Sequence, residues 1–441
     1  MRLGNLCVQA RTIALGFHYI CTYPTPNTMN ARIRIAAHLS LAAIIAAAAL
    51  ACGNVRPALH EPEPERTPEA SPPRRISIVF GGDVMQHMPQ INAARRDSSY
   101  DYTETFHYLR PFLDTADLVV FNLETTLSTE RYSGYPLFSA PAELAPALRN
   151  CGVDAVTLAN NHMLDKGRKG VLSTIRALDS AGLRHTGVFA DSAGYHAAHP
   201  LIFDVHGVRV ALLNYTYGLN GMPVTEGTIV NRIDTARIAV DLAAAAERGA
   251  DVTVAYFHWG YEYHRLPNTA QKQLAAWCHE RGADFVIGCH PHVIQPVEVW
   301  RDSTDAERGL TAYSLGNLVS NQRKRYRDGG ILLRLDITLR DSLPLSFEAS
   351  YLPVWVHMPI AAGQRKYVIL PSPVADTMAL DAAAKNAYDV FMADTRELLG
   401  SGPAREIKYV DETAASYDIR SIRHPVCLRP GEVIPPPAAY P

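Results

Sequence analysis

The chain has 441 residues, 47% of them hydrophobic and 20% charged, which is the balance of a soluble protein with a large core. Its formal net charge of −2 argues against the broad basic surface of a nucleic-acid-binding protein, so no nucleic-acid partner is expected. Its 7 cysteines include no CxxC pair, which argues against a zinc ribbon and against a disulfide scaffold.

Residues 1–52 are predicted to be a leader that ends in a lipoprotein-like signal. Residues 1–28 are typical of neither a signal nor a domain, so Met29 is the predicted true start. The apolar run Leu39–Leu50 is too short for a comfortable membrane span and is soon followed by Cys52. Cys52 is the predicted lipidation site, which would make the protein exported and anchored at the cell envelope. The alternative is an uncleaved N-terminal membrane anchor.

Composition also predicts the domain organisation. Residues 53–75 are rich in Pro and Glu and poor in apolar side chains, so they are expected to form an extended linker. Residues 76–360 are predicted to form the main domain. Residues 361–441 are predicted to supply a C-terminal helix and a Pro-rich tail that pack on that domain.

Short strand-like runs alternate with helical stretches after Arg75. The strand patterns are RISIVFGG, ADLVVFN, VDAVTLAN, VRVALLNYT, DVTVAYFHW and ADFVIGC, and the helix patterns are KGVLSTIRALDSAG, TARIAVDLAAAAERG and NTAQKQLAAWCHERG. This alternation predicts an α/β fold whose strands are buried on both faces. Farther on, GILLRLDITL and LSFEASYLPVWV are expected to pair antiparallel, and ADTMALDAAAKNAYDVFMADTRELLG is expected to be a helix.

Polar residues follow five of the predicted strands. They are Asp83, then Asn122 and Glu124, then Asn161, His162 and Asp165, then His258, and finally His290 and His292. Because the C-terminal ends of strands in an α/β sheet share one edge, we expect these side chains to converge. Carboxylate, amide oxygen and imidazole are ligands of divalent metals, and two ions bridged by one carboxylate would fit this set.

Each of these residues also has an ordinary structural explanation. Asp83 could cap a helix, Asn161 could hold a tight turn, and His258 could be a core histidine. His290 and His292 flank a proline, which favours an extended chain in which both rings point to the same side. The joint occurrence at five strand ends favours the metal site over five separate explanations.

Seven motifs together resemble the poly-gamma-glutamate capsule synthesis protein CapA family. They lie in order between about Ile76 and Leu333 and read GGDV, FNLETTL, LANNHMLDKGRKGV, NYTYGLNG, HWGYEYHRLPNTAQ, GCHPHVIQPVE and YSLGNLVSNQ. That family is similar to the calcineurin-like metallophosphoesterases. The resemblance implies a four-layer α/β/β/α sandwich of the metallophosphoesterase type. It also implies a site for two divalent metal ions, which would be Mn, Fe or Zn.

The resemblance also implies roles for individual residues. The metal ligands would be Asp83, Glu124, Asn161, His258, His290 and His292, with Glu124 bridging. His162 would be the catalytic or substrate-contacting histidine, and Asp165 would orient it. Glu262, Tyr263 and Asn317 recur in the family motifs and are expected to bind substrate.

Two positions depart from the usual pattern. Metallophosphoesterases have Asp-x-His at the first motif, whereas Asp83 is followed by Val84 and Met85, and the nearest histidine is His87. One metal position is therefore short of a ligand, which leaves a mononuclear site open. Cys289 stands where many family members have histidine, so it either packs beside the site or supplies a thiolate.

Two functions remain open from the sequence. The first is a metal-dependent hydrolase or phosphoesterase-like enzyme that acts on an anionic polymer such as poly-gamma-glutamate. The second is a non-catalytic component that binds and anchors the polymer within a membrane export complex. Both imply membrane-bound capsule synthesis and export proteins as partners, and a membrane contact through the lipid on Cys52.

Overall fold

The structure is a computed structural model that describes residues 72–341, 343–361 and 363–408. The predicted leader with Cys52, the linker as far as residue 71 and the Pro-rich tail after residue 408 lie outside the described residues. Among the helices of the described ranges, none is both long enough and apolar enough to cross a membrane.

The strands of the described residues are numbered in chain order. They are β1 Arg74–Val84, β2 Arg95–Arg96, β3 Ser99–Tyr100, β4 Leu118–Leu123, β5 Thr126–Ser128, β6 Ser139–Pro141, β7 Ala155–Thr157, β8 Arg184–Thr186, β9 Val188–Phe189, β10 Leu201–Val205, β11 Val208–Thr216, β12 Ile229–Val230, β13 Val252–His258, β14 Phe285–Cys289, β15 Val297–Arg301, β16 Glu307–Ala312, β17 Asn317–Val319, β18 Gly329–Leu339, β19 Ser346–His357, β20 Ile360–Ala361, β21 Gln364–Arg365, β22 Val368–Pro371 and β23 Arg405–Glu406.

The helices are numbered in the same way. They are α1 Met88–Ala94, α2 Thr103–Phe106, α3 Arg110–Leu113, α4 Leu144–Cys151, α5 Gly167–Ser180, α6 Ser192–Ala198, α7 Thr235–Glu247, α8 Thr269–His279, α9 Ser372–Ala375 and α10 Ala382–Leu399. Side-chain caps start three of the longer helices: Asp234 begins α7, Asn268 begins α8 and Asp381 begins α10.

Two mixed sheets contain most of the strands. The first sheet has the order β22-β19-β18-β1-β4-β7-β8, and the second has the order β10-β11-β13-β14-β16-β15. In the first sheet β1, β4, β7 and β8 run parallel, and in the second β11, β13, β14 and β16 run parallel. The antiparallel strands extend each sheet outward, and the predicted pairing of β18 with β19 is confirmed.

Three hydrophobic clusters show how the layers stack. Side chains such as Ile78 of β1 pack with Val254 of β13 between the two sheets. On the outer face of the first sheet, Phe121 packs with α4 and α5, and on the outer face of the second, Phe257 packs with α7 and α8. The order is therefore helix, sheet, sheet, helix, which confirms the predicted four-layer α/β/β/α sandwich.

The C-terminal helix α10 lies against the core between the sheets, where Tyr388 and Phe391 are buried. Its Asp394 carboxylate accepts two hydrogen bonds from Arg325, at 2.9 and 2.6 Å. The backbone oxygen of Asp394 also accepts a hydrogen bond of 2.6 Å from Arg265. One residue of α10 thus holds the loop after β13 and the loop after β17.

Candidate metal centre

The C-terminal strand ends of both sheets meet at one place. Asp83 lies near the end of β1 and Glu124 directly follows β4, in the first sheet. His258 is the last residue of β13 and His290 directly follows β14, in the second sheet. The backbone N–H of His290 lies 3.3 Å from Asp83 Oδ2, which joins the two sheets at this edge. The predicted convergence therefore involves two sheets rather than the edge of one.

A bulge in β1 sets the direction of Asp83. The pairing of β1 with β4 shifts register between Gly81 and Asp83, so Gly82 is the extra residue. A side chain at Gly82 would bring its Cβ to 2.0 Å from the backbone oxygen of Gly316. Glycine is thus required for the close approach that brings the Asp83 carboxylate to the strand ends.

The Asp83 carboxylate is fully buried and well supplied with hydrogen-bond donors. Oδ1 accepts a bond of 2.7 Å from Asn122, and Oδ2 lies 3.2 Å from His292 Nδ1. Burial acts to raise the pKa of Asp83, but the His292 and Asn122 hydrogen bonds and the nearby imidazoles hold it below the usual range. Burial likewise acts to lower the pKa of His292, but Glu124 and Asp83 raise it to about 9.

The Glu124 carboxylate is also fully buried but lacks hydrogen bonds. Neither oxygen has a hydrogen-bond partner among the described residues. His258 Nε2 is 3.5 Å from Oε1 and His292 Nδ1 is 3.9 Å from Oε2, so the imidazoles surround the carboxylate without forming hydrogen bonds to it. Burial, aided by Asp83, raises the pKa of Glu124 well above its usual value. Such a group needs either a proton or a cation.

Asn161 and His258 contact each other directly. His258 Nε2 lies 2.9 Å from Asn161 Oδ1, and both side chains are buried. Burial lowers the pKa of His258 to about 3 and that of His290 well below its usual value. Both rings are therefore neutral at pH 7, which is the form of imidazole that binds a metal ion.

His290 and His292 face the same cluster, but the expected reason is wrong. Their φ angles are +98° and +58°, so neither residue is extended, although an extended chain was predicted from the intervening proline. Their ring centroids are 5.9 Å apart. Contacts to Asp83 and Asn317 hold the turn, and these long-range bonds outweigh the local preference of a residue before proline.

His162 and Asp165 form a second buried pair. His162 Nδ1 lies 2.8 Å from Asp165 Oδ2, which also accepts a hydrogen bond of 2.6 Å from the Phe138 backbone. The His162 ring contacts the Phe138 ring edge-on, with centroids 4.6 Å apart. The imidazole is thereby fixed in position, and Nε2 is left as the nitrogen that can exchange a proton with a ligand.

Glu262 and Tyr263 lie on the exposed side of the cluster. Both side chains are exposed, and the Tyr263 ring centroid is 6.0 Å from that of His292. Asn317, in contrast, is fully buried: its Oδ1 lies 3.2 Å from His292 Nδ1, and its Nδ2 donates to the Arg327 backbone oxygen at 2.8 Å. This placement favours a role for Asn317 in orienting His292 rather than in contacting substrate.

Tyr217 also lies in this region, although its sequence context alone does not indicate a role for it. The residue is 43% exposed, and its ring centroid is 4.5 Å from that of His290 and 6.4 Å from that of His258. It belongs to the motif NYTYGLNG, so its position directly after β11 is the signal that could have indicated it.

Cys289 and His87 can be placed from their contacts. Cys289 is buried, its Sγ lies 3.0 Å from the Tyr256 hydroxyl, and burial raises the pKa of its thiol well above the usual value. A neutral thiol is consistent with packing beside the site. His87 Nδ1 lies 3.2 Å from Gln90 Oε1 and accepts a hydrogen bond from the Asn321 backbone at 3.3 Å.

Three sets of side chains, among the described residues, bring their ligand atoms within 4.8 Å of one another. They are Glu124, His258 and His290; Asp83, Glu124 and His292; and Glu262, His290 and His292. Glu124 belongs to both buried sets, which is where a carboxylate that bridges two ions would lie. The unpartnered oxygens of Glu124 and the unpartnered Nδ1 of His290 fit a cation, because a bound ion would satisfy all three atoms.

The chain is similar to proteins whose names refer to capsule synthesis. The model of the family described as "Bacterial capsule synthesis protein PGA_cap" matches residues 77–322 of the chain. "Capsule biosynthesis protein CapA" of Bacillus anthracis is 30% identical over 262 residues, which are 56% of this chain and 60% of that protein. "PGA biosynthesis protein CapA" of Bacillus subtilis (strain 168) is 28% identical over 269 residues, 58% of this chain and 67% of that protein. The chain thus spans less than two-thirds of the Bacillus anthracis relative.

Several solved structures are also similar. The structure of Haemophilus influenzae NAD nucleotidase (NadN) superposes with a TM-score of 0.41 and 12% sequence identity. The superposition covers 78% of this chain and 59% of the nucleotidase chain. The structure of the calcineurin-like phosphoesterase YfkN from Bacillus subtilis superposes with a TM-score of 0.37 and 14% sequence identity. The superposition covers 74% of this chain and 99% of the YfkN chain.

Proposed function

The chain belongs to the bacterial capsule synthesis protein PGA_cap family, and from this premise we propose that it acts on an anionic capsule polymer at the cell envelope. The Bacillus subtilis relative is named a PGA biosynthesis protein, and together with the family resemblance this name supports poly-gamma-glutamate as the polymer class. We further propose that the cluster around Glu124 is a metal-dependent, phosphoesterase-like site that serves the synthesis, export or processing of this polymer.

The observation that carries the proposal is the state of Glu124. A carboxylate with both oxygens buried and without hydrogen bonds is costly unless a proton or a cation neutralises it, and a cation would also satisfy both oxygens. Neutral imidazoles of His258 and His290 face the same space, and a neutral imidazole offers a lone pair. Asp83 and His292 complete the second set around the shared carboxylate. The arrangement supports two divalent ions of Mn, Fe or Zn.

The residues around Glu124 would have separate roles in binding metal, in proton transfer and in contacting the polymer. When bound, divalent ions at such a centre supply Lewis-acid chemistry. Asp83, Glu124, Asn161, His258, His290 and His292 would hold them. His162, fixed by Asp165, would give a proton to the leaving group through Nε2. Glu262 and Tyr263, whose side chains are exposed, would contact the polymer.

Localisation and partners are part of the same proposal. A lipid on Cys52 and an extended linker would hold the described domain near a membrane surface, beside membrane-bound proteins that build and export the polymer. Cys52→Ser should release the full chain from the membrane fraction into the soluble fraction. Cys427→Ser, which lies downstream of the predicted signal, is the control and should leave the chain in the membrane fraction. Retention of Cys52→Ser in membranes would count against the lipid anchor.

A metal measurement combined with a polymer assay tests the proposed site. The full chain is loaded with Mn, Fe or Zn, its metal content is measured by mass spectrometry, and it is incubated with poly-gamma-glutamate and with a generic phosphodiester. We expect bound metal and shortening of the polymer, and we expect His162→Ala to abolish the shortening while metal content is unchanged. His196→Ala, at an exposed position in α6, is the matched control.

The outcomes separate the two functions that the sequence left open. Shortening that depends on His162 supports the enzyme. Tight polymer binding without any product supports the non-catalytic anchoring component instead. If the wild-type chain retains none of the three metals under any loading condition, the proposed metal site is wrong, and so is the chemistry that depends on it.

A further inference from the structure

Arg327 is held close to the candidate metal centre by two separate contacts. Its backbone oxygen accepts the Asn317 hydrogen bond of 2.8 Å, and the same Asn317 side chain contacts the His292 ring. Its guanidinium carbon lies 3.2 Å from the centre of the Tyr263 ring. Tyr263 is in turn fixed by its backbone N–H, which donates to the Pro291 oxygen at 2.7 Å, between the two histidines.

The other arginines around this loop are already paired. Arg323 lies 3.9 Å from Asp328, and Arg325 lies 2.6 Å from Asp394. Arg265 is held by the Asp394 backbone oxygen and lies 3.7 Å from Glu397. Arg327 differs, because no carboxylate of the described residues forms an ion pair with its guanidinium. A charge that the protein leaves without a counter-ion beside a candidate site is available to a ligand.

The stacked arrangement suits the recognition of an anion. Stacking on Tyr263 restricts the guanidinium to one plane and leaves its N–H donors at the edge of that plane. The planar donors match the two oxygens of a carboxylate, and the resulting charge-assisted pair is stronger than a neutral hydrogen bond. Less side-chain entropy is lost on binding because the ring already orients the group.

We infer that Arg327, stacked on Tyr263, binds a carboxylate of the polymer next to the group held at the candidate metal centre. This inference rests on the proposed function, since it takes the polymer to be poly-gamma-glutamate, which carries one carboxylate in each residue. Arg327 is then a specificity-determining residue: it selects a chain of repeated carboxylates over a single small anion, which would occupy the metal centre alone.

The test compares ligands of different length with matched variants. Binding of a long oligo-gamma-glutamate, of free glutamate and of inorganic phosphate to the metal-loaded full chain is measured by calorimetry. Arg327→Gln should weaken binding of the long oligomer by about tenfold or more, the loss expected for one charge-assisted pair. Its binding of glutamate and phosphate and its metal content should stay at the wild-type level, and Arg327→Lys should recover part of the loss.

Lys324→Gln is the matched control, because Lys324 is an exposed cation in the same loop. It should bind the long oligomer as the wild type does. If Arg327→Gln and Lys324→Gln have the same affinity, Arg327 does not recognise the polymer and the inference is wrong. Equal losses for phosphate and oligomer would also overturn it, because the group would then bind any anion. A wild-type chain that binds no oligomer at all removes the proposed function itself.

Discussion

At the scale of single residues, Glu124 combines a cost to stability with a use in binding. Its carboxylate is buried without hydrogen bonds, whereas Asp83 beside it accepts bonds from Asn122 and from the ring of His292. The two acidic groups therefore differ in what they need: Asp83 is satisfied by the protein, and Glu124 is not. Sites that bind ions often retain such locally unfavourable groups, because the ligand supplies the missing interaction.

The first prediction concerns Glu124→Gln. Without metal, folding of the wild type must either bury the charge of Glu124 or add a proton to it, and a neutral amide removes this cost, so the free energy of unfolding should rise by about 1 kcal/mol. With metal present, the variant should lose the added stability that ions give the wild type. Chemical denaturation with chelator and with metal measures both effects. Glu226→Gln, at an exposed position, should change neither, and a metal-free Glu124→Gln that is less stable than wild type would contradict the argument.

The histidines show what local patterns can and cannot predict about individual residues. That His290 and His292 face the other polar residues could be predicted from the clusters after the strands. Their backbone conformation could not, because the bonds to Asp83 and Asn317 come from residues far away in the sequence. The same holds for Arg327, whose place depends on contacts with Asn317 and Tyr263.

At the scale of elements, the order of the strands determines which side chains meet. The parallel strands β1 and β4 end beside each other in the first sheet, and β13 and β14 do so in the second. The strands were predictable because their buried runs are long and flanked by polar residues or glycine. The bulge at Gly82 was not, because its cause is the backbone of Gly316, which is distant in the sequence.

The second prediction concerns the bulge itself. In Gly82→Ala the new Cβ would lie 2.0 Å from the Gly316 oxygen, so the backbone must shift. We expect the free energy of unfolding to fall by about 2 kcal/mol or more, and metal affinity to fall with it because Asp83 moves. Gly194→Ala in α6 is the control, since the new Cβ would lie at an ordinary 3.5 Å from Asp191 Oδ1. Thermal unfolding and metal titration of both variants measure the difference, and equal stabilities would show that the bulge tolerates a side chain.

At the scale of the whole molecule, the charge balance of the centre depends on pH. Although burial acts to lower it, the pKa of His292 is raised from 6.5 to about 9 by Glu124 and Asp83, so in the metal-free state this ring is a cation at pH 7. Its contribution to stability is complete below pH 6.5 and is lost as the pH rises through about 9. A metal ion that binds His292 must displace this proton.

The third prediction follows from that competition. Metal affinity should increase as the pH rises from about 7 to about 9, and metal binding should release a proton. Calorimetry in two buffers with different ionisation enthalpies measures the proton release directly. His292→Asn should bind metal more weakly and with a smaller pH dependence, whereas His206→Asn, at an exposed site, should behave as the wild type does. An affinity that does not change with pH would show that His292 is not among the ligands.

The hydrogen bonds of Asp394 have a consequence for where the functional unit ends. The match to the family stops at residue 322, yet α10 begins at Ala382 and its Asp394 secures the loops that carry Arg265 and Arg325. Arg325 is two residues from Arg327. Helix α10 therefore stabilises the loop that carries Arg327, which is the surface that a polymer would contact. Relatives that share the motifs of the candidate metal centre but have a different segment in place of α10 should therefore differ in ligand preference while keeping the same candidate metal ligands.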